Sequence, residues 1–381
     1  MSIINDSKSY WEGGSDMTEE LKEKFTRVRE LLKKLKLDGI LMTQTPNFYW
    51  ITGGKNDIVD SGSGNAASRV LLLDDKAYVF CNSSEFYRVS EEELPDDAFE
   101  KVMYYWHYNE AEVIGKYMEG KKIGSDNGDF GTENIAHEIQ KMRYVLTEAE
   151  RARMMEIGPE CAKILEDCVR EVKKGQTELE IAGFVNAAFT AKGYTIPVCL
   201  VGSDERLLKY RHPLPKDKKI ENIIMVAICP QKYGLTISIS RIKSFVKLSK
   251  EIKDKYDALL KIDATYIVNT KAGVLSRDIL QKAYEVYKET GYEKDFHLHH
   301  QGGALGYLTR DYCTNFRTEE VVQNHQGYSW NPTISGVKIE DTYVIEGEAQ
   351  NIVSYSGNWV YREVTVDGKT ILRPDILIQE N

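Results

Sequence analysis

Residues 296–311, F-H-L-H-H-Q-G-G-A-L-G-Y-L-T-R-D, gather three of the chain's seven histidines, three glycines and an Arg-Asp pair. Imidazoles move protons near neutral pH or bind metals, and glycines clear the space that a ligand or a turning backbone needs. The H-x-H alternation suits a strand, with His297 and His299 on one face and His300 on the other. Gly302, Gly303 and Gly306 disfavour a helix. The plainer alternative is a strand that leaves the core through a glycine turn, its histidines hydrogen-bonded and chemically idle. Titratable clusters occur in structural networks as well as in sites.

A chain of 381 residues exceeds what one hydrophobic core usually serves, so two domains are expected, 1–146 and 147–381. With 42% hydrophobic and 29% charged residues the composition is that of a globular protein. A formal charge of −9 argues against non-specific nucleic-acid binding, which needs a basic face. No run approaches the ~20 apolar residues of a membrane span. Residues 1–11, M-S-I-I-N-D-S-K-S-Y-W, lack the apolar centre of a signal peptide, so a cytoplasmic location without membrane contact is expected. Six scattered cysteines with no C-x-x-C pair are expected to be reduced, buried and inert.

The elements around the histidine stretch follow from periodicity. In residues 17–37, Leu21, Phe25, Val28, Leu31, Leu32 and Leu35 mark an amphipathic helix. Strands are predicted at 40–42, 48–51, 69–73, 77–81, 102–106 and 122–124, with helices near 84–94 and 109–118, which makes an α/β domain. The Gly- and Ser-rich loop at 53–65 is a surface connection or a lid. Thr147 with Glu150, and Thr177 with Glu180, have capping-box spacing and open helices towards 173 and 191. Strands follow at 198–201, 223–229 and 235–239, the first two apolar enough for a sheet interior. Helices at 250–269 and 276–290 and strands including 340–345 and 358–366 complete an α+β order, helices on one face of a mostly antiparallel sheet.

On these motifs the chain resembles the pita-bread-fold metallopeptidases, methionine aminopeptidase, aminopeptidase P and prolidase, together with the metal-free hydrolase creatinase. N-F-Y-W-I-T-G-G at 47–54 resembles a pattern of the creatinase-type N-terminal domain. L-T-E-A-E at 146–150 and G-V-K-I-E-D-T-Y-V-I at 336–345 resemble the start and the late motif of the pita-bread domain. Carried over position by position, the resemblance implies that the metal is lost. The family's first two ligands, aspartates eleven positions apart on neighbouring strands, fall on Ala227 and Ser238. Its ligand histidine in G-H-G-x-G falls on Gly303, and its glutamate before a proline on Asn331. Of the five ligands Glu340 alone survives. A two-metal site needs anionic oxygens to hold two divalent ions against a bridging water, so no metal or other cofactor is expected.

His212, in K-Y-R-H-P-L-P, matches the histidine beside the family's substrate, which in creatinase carries the acid/base. Arg241 matches the arginine after the second lost aspartate, and Arg310-Asp311 replace the usual His-Glu pair. The resemblance therefore implies a metal-independent hydrolase of a C–N bond in a small guanidino, amide or imidopeptide substrate. His212 would be base and then acid, Glu340 would orient water or bind a cationic group, and His299 or His300 would assist. Arg310, Asn331, Arg241 and Tyr307 are the expected substrate contacts. Two alternatives stay open: a zinc site moved to His297, His299, His300 and Glu340, and a non-catalytic cleft that binds a peptide or protein. In creatinase-like relatives one subunit's N-terminal domain closes over the other's cleft, which implies a homodimer.

Overall fold

The computed structural model describes residues 17–94 and 97–380; the signal-peptide reading at 1–11 lies outside them. No helix among them is long and apolar enough to cross a membrane. The chain divides into two compact units, Met1–Arg143 and Tyr144–Asn381.

The first unit is a mixed sheet of β1 (Gly39–Gln44), β2 (Asn65–Leu73), β3 (Ala77–Asn82), β4 (Glu100–Tyr104), β5 (Ile123–Ser125) and β6 (Glu133–Asn134), in the order 4-3-2-1-5-6. The amphipathic helix Glu19–Leu35 starts at Thr18, whose side chain accepts from Leu21 N, and buries Leu21, Phe25, Val28, Leu31 and Leu32. Residues 48–51, expected as a strand, are instead the end of the helix Thr45–Ile51. Pro46 at its first turn costs no hydrogen bond there. Buried Asp126 fixes the helix start by accepting from Thr43 N, Gln44 N and Asn47 Nδ2. The predicted helix at 84–94 is one turn, Phe86–Arg88, followed by a wider turn at Val89–Glu93. A bond from Leu94 N to Val89 O closes that wider turn and buries both side chains.

In the second unit both capping boxes form, Thr147 with Glu150 and Thr177 with Glu180, and they open the helices Glu148–Glu171 and Glu178–Thr190. One sheet holds β7 (Thr195–Ser203), β8 (Ile223–Lys232), β9 (Leu235–Thr236) and β10 (Ile239–Ser244). The other strands are β11 (Gly302–Leu305), β12 (Tyr312–Cys313), β13 (Gly327–Trp330), the hairpin β14 (Thr333–Ile334) and β15 (Val337–Lys338), β16 (Tyr343–Glu346) and β17 (Ala349–Ile352). A last hairpin, β18 (Tyr361–Val366) and β19 (Lys369–Pro374), precedes β20 (Leu377–Ile378). The sheets run 20-10-8-7 and 12-11-13-16-17, antiparallel except where β20 joins β10. β7 therefore lies at an edge, not in the sheet interior as its apolar content suggested. The run expected as one strand at 235–239 divides between β9 and β10, with Ser238 between them. The helices Lys250–Asn269 and Ser276–Glu289 pack Leu259, Tyr266, Leu280 and Tyr287 into the same core as Trp330 and Tyr343. Tyr266 stacks on Trp330 at 4.5 Å.

Candidate active site

The site lies wholly within the second unit, around a cavity of about 250 Å³. Val198 and Leu200 of β7 and Ala227 and Cys229 of β8 give it apolar walls, and His212, His300, Arg310, Asn331, Lys338 and Glu340 bring its polar groups. His212 lies in the loop after β7. Buried Glu178 holds the start of that loop by accepting from Ser203 N, Arg206 Nε and Lys216 N. One residue before His212, Arg211 Nη2 reaches Asp295 Oδ1 at 3.0 Å, and the same oxygen accepts from Ser335 N at 2.8 Å. Three segments distant in sequence are thus tied together, and His212 Nε2 meets His299 Nε2 at 3.0 Å.

The histidine stretch is not a strand. Glu293–Phe296 is a helical turn, His297 and Leu298 continue it, and β11 begins at Gly302. Gln301 stops the turn from extending: its side chain donates to His299 O at 2.8 Å and accepts from Tyr287 OH at 3.0 Å. His299 and His300 consequently stack, with ring centroids 4.4 Å apart, instead of taking opposite faces. His297 is exposed and turns to Tyr284 and Phe296, away from this cavity. It lines a second hollow of about 460 Å³ with Phe316 and Leu298, and His300 lies on the walls of both.

The charged groups form a compact set. Arg310 Nη2 donates to Glu340 Oε1 at 2.6 Å and Nη1 to Ser238 Oγ at 2.9 Å. Lys338 Nζ lies 3.7 Å from Glu340 Oε2. The tight β14–β15 hairpin places Thr333 opposite Lys338 and so brings Asn331 and Lys338 to one end of the cavity. Burial alone would raise the Glu340 pKa, but Lys338 and Arg310 override it and hold the carboxylate below its ordinary value. Burial and Lys338 push the His212 pKa down, and they push His299 down further. Burial and Arg310 take His300 to about 4. At neutral pH the three imidazoles are uncharged, so the partners of Glu340 are Arg310 and Lys338, not a protonated histidine or Arg241.

Two expected substrate contacts do not reach the cavity. Arg241 is fully buried on Glu166 and Asp341, at 2.8 and 3.1 Å, because its side chain leaves β10 towards the Glu148–Glu171 helix. Tyr307 is buried, with its hydroxyl on Glu150. Lys338 and the Arg211–Asp295–Ser335 clamp went unnoticed in the sequence. The K-x-E alternation at 338–340 was the available signal, since i and i+2 share a face of an extended chain. Cys313, expected to be buried, is exposed, its Sγ 3.8 Å from His300 Nδ1.

The donor set does not fit a two-metal centre. Ala227 offers a methyl, and Ser238 Oγ is engaged by Arg310. A Cβ on Gly303 would meet Tyr312 O at 2.2 Å, so the backbone leaves no room for an imidazole there. Glu340, the remaining anion, is bound by the protein's own cations.

Residues 152–347 match metallopeptidase family M24, and residues 24–155 match the creatinase/prolidase N-terminal domain. An Xaa-Pro dipeptidase of Pyrococcus horikoshii is 22% identical over 345 residues, 85% of this chain and 95% of that protein. The solved Xaa-Pro dipeptidase of Bacillus anthracis has a TM-score of 0.74 at 18% identity, covering 94% of this chain and 99% of that one. A dipeptidase of Mycobacterium ulcerans has a TM-score of 0.76 at 15% identity, covering 95% and 98%. At such identities the structural likeness shows the fold.

Proposed function

The chain belongs to metallopeptidase family M24, and from that premise we propose a hydrolase that works without metal on a C–N bond of a small polar substrate. The observation that carries the reading is the His212–His299 contact at 3.0 Å, two neutral imidazoles beside a carboxylate clamped by Arg310. A neutral His212 takes a proton from water as the oxygen adds to the substrate carbon, then returns it to the nitrogen as the C–N bond breaks. His299 steadies the charged imidazole through the shared proton, and Glu340 accepts an N–H from the substrate. Two of the similar proteins are Xaa-Pro dipeptidases by name; amide, imidopeptide and guanidino C–N bonds are the corresponding candidates here. The test is a substrate panel with His212→Ala. Its kcat is expected to fall by about 10²–10⁴, the usual worth of a positioned acid/base. Unchanged hydrolysis by that variant would end the proposal. A cytoplasmic homodimer belongs to the same reading; a monomer mass in sedimentation at micromolar concentration removes the dimer.

A second reading rests on the ligand atoms of His212, His299 and His300, which all lie within 4.8 Å of one another. One zinc ion tolerates such a set. This reading replaces the set His297, His299, His300 and Glu340, from which His297 is turned away. Against it stand Lys338 and Arg310, whose charges disfavour protonation of these imidazoles and repel a divalent ion in the same way.

A further inference from the structure

We propose that Lys338 is the anchor for an anionic group of the ligand, and that the cavity takes a small monocarboxylate. The proposal rests on the hydrolase reading only in calling this ligand the substrate. Lys338 is 3% exposed and its side chain lines the cavity, yet Nζ has no hydrogen-bond partner among the described residues. Its nearest carboxylate oxygen, Glu340 Oε2 at 3.7 Å, is beyond hydrogen-bond reach.

Other cations of this unit donate hydrogen bonds to the protein, although Arg310 Nε, on the same cavity, has no partner among the described residues. Lys243 donates to Arg170 O and Val172 O at 2.6 and 2.7 Å. Arg241 and Arg373 each hold two carboxylates. Arg310 is committed to Ser238, Thr309 O and Glu340. A buried ammonium without hydrogen bonds is expensive, and Lys338 bears that cost on a cavity wall, where a ligand can relieve it. Asn331 Oδ1 and Arg310 Nε, also buried, are further polar atoms of the lining residues without a partner among the described residues.

Charge and size select the ligand. Glu340 is balanced by Arg310 and the three imidazoles are neutral, so Lys338 leaves one positive charge for a monoanion to cancel. A dianion would overshoot beside Glu340. The cavity of about 250 Å³ has room for a carboxylate joined to one short amide or guanidino group. The second Glu340 oxygen, which Arg310 does not take, can accept the N–H at that group.

Isothermal titration at neutral pH tests this with N-acetylglycine, its neutral counterpart N-acetylglycinamide, and inorganic phosphate. The wild type is expected to bind the acid at least about tenfold tighter than the amide, as a buried charge-assisted contact should. Lys338→Met should lose that preference while folding normally, since the ammonium it removes makes no hydrogen bond and Arg310 still pairs Glu340. Lys338→Arg should retain it. Equal affinity for acid and amide, preference for phosphate, or an unchanged Lys338→Met variant each overturns the proposal. Binding needs no turnover, so a protein that hydrolyses nothing yet binds the acid through Lys338 refutes the hydrolase and leaves this site standing.

Discussion

One guanidinium, that of Arg310, spans Glu340 Oε1 at 2.6 Å and Ser238 Oγ at 2.9 Å. It joins two of the positions that the motif resemblance assigns to metal-binding carboxylates, and brings a positive charge to Glu340. Arg310→Met leaves Glu340 with a cation at 3.7 Å only. Breaking a buried pair from one side costs about 3–5 kcal/mol, so urea unfolding should show a loss of that size. The double variant Arg310→Met/Glu340→Met should recover most of it. A single-variant loss below about 1 kcal/mol, the range of surface pairs, would show the pair to be inconsequential.

Arg241 belongs to a buried ladder, Glu166–Arg241–Asp341–Arg373–Asp263, with links of 2.8, 3.1, 2.9 and 2.5 Å. Arg241→Met should destabilise by about 3–5 kcal/mol while the folded protein keeps its affinity for N-acetylglycine. Selective loss of that affinity, with stability intact, would return Arg241 to the ligand site.

Gly158 sits inside the Glu148–Glu171 helix, where alanine is ordinarily better by ~1 kcal/mol. Here an added Cβ would lie 2.5 Å from Val353 O, a backbone atom that cannot rotate away. Gly158→Ala is therefore expected to lower Tm, and a raised Tm would show that the 353 segment yields.

The histidines set an acid limit on stability. The folded pKa of His300, about 4, lies below the ~6.5 of the unfolded chain. Between these values the unfolded state holds a proton that the native state lacks, so stability is full above pH 6.5 and falls as pH drops towards 4. His212 and His299 shift in the same direction. Urea unfolding at several pH values should show a shallower acid loss in His300→Gln than in the wild type. Parallel curves would mean that His300 titrates normally.

Local rules read most of the fold from the chain. Both capping boxes form where Thr-x-x-Glu occurs, and the runs expected as strands at 69–73 and 77–81 pair with each other. The misreadings were tertiary. The apolar run 48–51 has no periodicity to separate strand from helix, and Asp126, some eighty residues on, anchors the helix start. H-x-H looked extended, but Gln301 and the Arg211–Asp295 pair shape that segment from outside. In the site, His212, Glu340, Arg310 and Asn331 were legible through motif resemblance and converge on one cavity. Arg241 sits next to a motif position yet points to the other face of β10. Lys338 was overlooked because a lysine in a strand ordinarily faces solvent, and only the β14–β15 hairpin shows that this one faces a cavity.

On the proposed metal-free reading the protein's own cations, Arg310 and Lys338, take the electrostatic role of the metal. Elemental analysis of the purified protein, paired with thermal unfolding in chelator and in added zinc or manganese, tests it without needing a substrate. Substoichiometric metal and a Tm that neither treatment moves are expected. A bound ion at 100 times its Kd would add about 2.7 kcal/mol to the folded state. One or two ions per chain, stripped by chelator with a matching fall in Tm, would overturn the metal-free reading and place the metal among His212, His299 and His300.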